Sequence, residues 1–122
     1  MKFTLGEIKM MKDSLIELSK KDVPIRESWR ISRLLKRMNE ELQIVDNERV
    51  KLISKYGENY DNGTKVRDDQ VQNFTKEYGE FLNSEIEIDF EPIEVSRLGN
   101  ITMSSATLIG LSKIIIEDKK DE

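Results

Sequence analysis

No glycine or proline interrupts the chain between Pro24 and Gly57, and apolar residues recur through this stretch in steps of four and three. They are Ile31, Leu35, Met38, Leu42, Val45, Leu52 and Tyr56, and only Arg49 breaks the series. That period is one face of an α-helix. A helix from Pro24 to Tyr56 would extend roughly 48 Å at 1.5 Å per residue. Its length dictates the rest, because an amphipathic rod is stable only when other elements cover its apolar stripe. Pro24 suits the first helical turn, where the N–H it lacks would have gone unpaired. Asp22 is chemically a better cap than Val23, and Gly57 marks the stop.

The segment before it can cover part of the stripe. Thr4-Leu5-Gly6-Glu7 fits a capping box, and Leu5, Ile8, Met11, Leu15 and Leu18 then follow at helical spacing. This shorter helix folds back on the long one as an antiparallel helical hairpin. It reaches about halfway, so the stripe from Leu42 to Tyr56 needs a third helix or a second copy of the chain. Asp68 or Asp69 can cap that third helix, which presents Val71, Phe74, Tyr78 and Phe81 up to Leu82. If it does not suffice, the chain forms a homodimer through the long helix.

From Ser84 the period changes to two. Ile86, Ile88 and Phe90 alternate with Glu85, Glu87, Asp89 and Glu91, as in a half-buried strand ended by Pro92. Ile101-Thr102-Met103 can return after the Leu98-Gly99-Asn100 turn to make a short antiparallel β hairpin. Ser104 or Ser105 then caps a C-terminal helix with Leu108, Leu111 and Ile115 inward. The expected fold is mainly α with a small β element (α+β). At 122 residues the chain has the size of one domain, here residues 1–116, with a disordered charged tail over 117–122.

Composition narrows the chemistry. There is no histidine and no cysteine, so thiolate metal sites, disulfides and histidine-based acyl transfer are absent. No glycine-rich phosphate loop occurs. An enzyme is not expected, and neither is a cofactor. The apolar runs are too short for a signal peptide or a membrane span, which points to a cytoplasmic protein. The net charge of −4 argues against generic nucleic-acid binding.

The stretch from Lys55 to Asp69 invites reading as a calcium loop. With Gly63 at the sixth position, the first position is Glu58, the third Tyr60 and the twelfth Asp69. Tyrosine offers no carboxylate, and aspartate is short for the closing bidentate ligand. Asp61-Asn62-Gly63 reads better as a turn.

Two charged constellations remain. Arg26, Arg30, Arg33 and Arg37 form a stripe on the long helix, with Lys36 beside it and Trp29 among them. The stripe can bind an acidic partner surface or nucleic acid. Alternatively it is a solvated face, neutralised through Lys36–Glu40 and Arg37–Glu41 or by the acidic strand. Trp29 is either an anchor at the rim of the core or a binding hot spot. Glu85, Glu87, Asp89 and Glu91 share one strand face. They suit a hard metal, mimicry of a nucleic-acid backbone, or protection of an edge from aggregation.

The order of phrases adds a resemblance. TLGEI opens the chain, a VP step leads into RLLKRMNEEL, KYG closes the helix, and EFLNSEIEIDFEPIEV precedes a serine-capped helix. Over nearly its whole length the chain resembles a family of small tailed-bacteriophage and prophage proteins of Gram-positive hosts. The resemblance implies a phage origin and carries over no functional residue. The expected function is a phage-encoded, non-enzymatic protein-interaction module that binds and modulates a host or phage protein, of host-takeover or anti-defence type. The alternatives are a minor virion or assembly component, and nucleic-acid binding through the arginine stripe.

Overall fold

The computed structural model of the chain describes residues 1–60 and 63–119. Helices α1 (Leu5–Ser19) and α2 (Ile25–Tyr56) make the helical hairpin, and α2 runs for 32 residues. The capping box closes as its residues require. Thr4 Oγ1 accepts the Glu7 N–H at 3.0 Å, and Glu7 Oε1 accepts the Thr4 N–H at 2.9 Å. At α2 the boundary residue is Pro24, with φ −51° and ψ 144°, and no side chain caps the helix. Proline's fixed φ sets the entry angle without help from Asp22.

Ile8, Met11, Leu15 and Leu18 of α1 pack on Ile31, Leu34, Met38, Leu42 and Val45 of α2. Leu34 completes the inner row, while Leu35 sits half-buried at the rim. Beyond reach of α1, the stripe is covered within the chain. Helix α3 (Val71–Leu82) lies against α2, and Leu52 is buried. Lys55 Nζ at 3.2 Å and the Tyr56 hydroxyl at 2.5 Å both reach the Glu77 carboxylate. The tyrosine hydroxyl first, then the lysine, holds that carboxyl below the usual range.

Between α2 and α3 runs an antiparallel hairpin of β2 (Gly57–Tyr60) and β3 (Gly63–Val66). Gly57 has φ −113°, so it is not chosen for a left-handed turn. A Cβ there would sit 2.2 Å from the Ile53 carbonyl oxygen and 2.7 Å from that of Lys65. The last turn of α2 and the crossing hairpin together leave room only for hydrogen.

The acidic alternating segment pairs elsewhere than the sequence suggests. Only β4 (Glu85–Glu87) is hydrogen-bonded as a strand, and its mate is β1 (Lys2–Thr4) at the N-terminus, with Phe3 opposite Ile86. Burial keeps alternating past the strand's end, with Ile88 and Phe90 inside and Asp89 and Glu91 outside. Residues 101–103 form no strand. A parallel pair, β5 (Ile93–Glu94) with β6 (Ile115–Ile116), ties the next turn to the chain's last described segment. Between them Ser104 caps a short helix α4 (Ser105–Gly110), which ends where Gly110 meets Ser14 of α1. Lys113 then reaches back to the N-terminal elements. Its Nζ pairs with Glu7 Oε2 at 2.9 Å, bonds the Lys2 carbonyl and lies 4.7 Å from the Phe3 ring centre. Asp118 accepts the Ser96 N–H at 3.0 Å, and residues 120–122 of the expected tail lie outside the described residues. Among the described residues no helix is long and apolar enough to cross a membrane.

Candidate functional site

The winding of α2 places Arg26, Arg30, Arg33 and Arg37 on one flank of the buried row. Because β4 is anchored to β1, the chain from Glu87 to Glu94 is laid alongside that flank. The two enclose an open cleft of about 700 Å³, and all four arginines line it. Glu87, Asp89, Glu91 and Glu94 line it too, over buried Leu34, Ile88 and Phe90. Arg97 and Lys119 complete the lining. The fold thus joins the two charged constellations of the sequence into one site. Glu85 lies outside the lining, opposite Thr4 in the β1–β4 pair.

The arginines have different roles. Arg30 is structural. Its Nη1 pairs with Glu27 at 3.1 Å, its Nη2 donates to the Glu91 backbone carbonyl, and its guanidinium stacks 5.1 Å from the Phe90 ring centre. Glu27 is only 4% exposed, so this pair neutralises a buried carboxylate. Arg37 pairs with Glu41 at 2.9 Å, whereas Lys36 and Glu40 form no ion pair among the described residues. Arg33 lies 5.8 Å from the centre of the Trp29 ring. Trp29 itself is 61% exposed and is not part of the cleft lining, so it anchors no core. Among the described residues Arg26, Arg33, Arg97 and Lys119 have no carboxylate within ion-pair distance.

The acids also divide. Glu87 accepts a hydrogen bond from the N-terminal amine of Met1 at 2.7 Å, which holds its carboxyl below the usual range. The carboxylates of Asp89, Glu91 and Glu94 meet no cation among the described residues. No group of three acids there is arranged to hold a metal. In the stretch that resembles a calcium loop, Glu58 and Asp69 each pair with Arg67 at 3.2 Å. Both outer ligand positions are thereby engaged by a guanidinium, and Asp61 and Asn62 lie outside the described residues.

Glu27, Arg97, Glu94 and Lys119 do not stand out in the sequence as parts of a site. For Glu27 a signal exists, since Glu27, Ile31, Leu34 and Met38 step by four, three and four along the buried row. Arg97 and Lys119 carry no local signal. The β5–β6 pairing and the Ser96–Asp118 bond bring their segments together. No protein-family model, curated protein or solved structure matches the chain.

Proposed function

We propose that this protein is a non-enzymatic interaction module that acts by occupying a surface on another protein. The cleft between α2 and residues 87–94 is its contact surface. Support comes from one observation above all: among the described residues, four cations line the cleft without a carboxylate partner. Such groups contribute little to folding, because even formed surface pairs are worth only about 0–1 kcal/mol. They remain available to steer and register an oppositely charged partner. The resemblance to small phage proteins makes a host factor, including a defence component, the natural target, with action in the host cytoplasm.

The test uses the double variant Arg26→Glu with Arg33→Glu, which leaves the Arg30–Glu27 pair intact. Its melting temperature should match that of the parent. Partner capture by the tagged protein in host cells, measured by quantitative mass spectrometry, should fall by about tenfold or more. Undiminished capture at unchanged stability would reduce the stripe to a solvated face and end this reading. Stoichiometric presence in purified particles would instead identify a virion component.

A further inference from the structure

The charge pattern of the cleft specifies what kind of segment fits it, if the interaction reading above holds. On the α2 side Arg26 and Arg33 have no acid partner among the described residues. Facing them, Asp89 and Glu91 have no cationic partner among the described residues, and Arg30 bonds the backbone of Glu91, not its carboxylate. Opposite charges therefore line one cleft and do not close on each other. A uniform polyanion would be attracted by one wall and repelled by the other, since like charges facing each other across an interface are strongly unfavourable. That disfavours nucleic acid and acidic tails alike.

We propose that the cleft binds an extended peptide segment of alternating charge. Its acidic side chains face α2 and its basic side chains face residues 89–94. Successive side chains of an extended chain point to opposite sides, so alternation in sequence becomes separation in space. The fit in length is natural. The α2 lining from Arg26 to Arg37 rises about 16 Å, which an extended chain covers in about five residues. Buried Leu34 and Phe90 give such a segment an apolar floor. Arg97 and Lys119, which come from the turn after β5 and the segment after β6, add two more cations for a terminal acid.

The experiment compares labelled peptides about eight residues long by fluorescence anisotropy with the full chain at low salt. One alternates Glu and Lys. A second has the same composition in two blocks, a third is all Glu, and an oligothymidylate serves as a nucleic-acid polyanion. The alternating peptide should bind about tenfold more tightly than the block peptide. Arg33→Ala and Asp89→Ala, both on exposed side chains, should each remove most of that preference. Equal binding of the two arrangements, or no binding up to about 1 mM, overturns the inference. A preference for polyglutamate or oligothymidylate overturns it too, in favour of a plain polyanion site. If partner capture through Arg26 and Arg33 persists while charge order proves irrelevant, only this inference falls. If charge order matters but capture does not depend on those arginines, the wider functional reading falls instead.

Discussion

Arg30 shows how much one side chain can decide. It neutralises buried Glu27, caps a carbonyl of the neighbouring segment and covers the Phe90 ring. Arg30→Ala would leave the Glu27 carboxylate buried and unpaired, and the cost of that is desolvation, not the loss of a surface contact. We expect a loss of about 2 kcal/mol in urea unfolding, less than for a fully buried pair because Arg30 is partly exposed. Arg33→Ala, one turn further on, should stay within about 0.5 kcal/mol. Equal effects would refute the division of the stripe into one structural arginine and free neighbours. The spacing of the four arginines reveals the stripe, but not their roles. Those depend on Phe90 and on Glu91, which lies 61 positions further along the chain.

At the scale of elements, the helices were legible because each carries its own period. Four-and-three spacing marks α1 and α2, and the Thr4–Glu7 box is written in adjacent residues. The β pairs were not legible in the same way. Alternation from Ile86 to Phe90 states which side faces inward, yet it says nothing about the mate. Lys2-Phe3-Thr4 is too short to announce itself as a strand. Gly57 illustrates a related limit. Its sequence position suggests a helix stop, but what excludes a side chain is the Ile53 carbonyl of α2 together with the crossing β3 strand. Gly57→Ala should therefore cost roughly 1–3 kcal/mol, as overpacking does, and should loosen the hairpin. Amide exchange at Lys65 and Val66 would report it. An alanine variant with unchanged stability and protection would show that the helix end and the hairpin can shift aside at no cost.

For the whole molecule, the decisive link is Lys113 to Glu7, a contact across a separation of 106 residues. The Thr4 N–H first, and Lys113 second, hold the Glu7 carboxyl below the usual range. A depressed carboxyl contributes stability that is complete above its unfolded-state pKa and is lost as pH falls through its folded-state value. Lys113→Met removes the second cause. Relative to the parent, the variant should be less stable at neutral pH, and the gap should narrow in acid. Urea midpoints from about pH 7 to about pH 2.5 would show it, and parallel curves would exclude the link. The site was half legible for the same reason that this link was not: both charged rows can be read from the sequence, and their convergence depends on contacts between chain ends. The β1–β4 pairing has a further consequence for a chain made on a ribosome. The helical hairpin can form once Tyr56 has emerged, but Phe3 must wait for Ile86. Until then the nascent protein presents an uncovered apolar flank, and the charged cleft cannot exist before its second wall has been translated. Whatever binds there meets the chain only after both walls have been made.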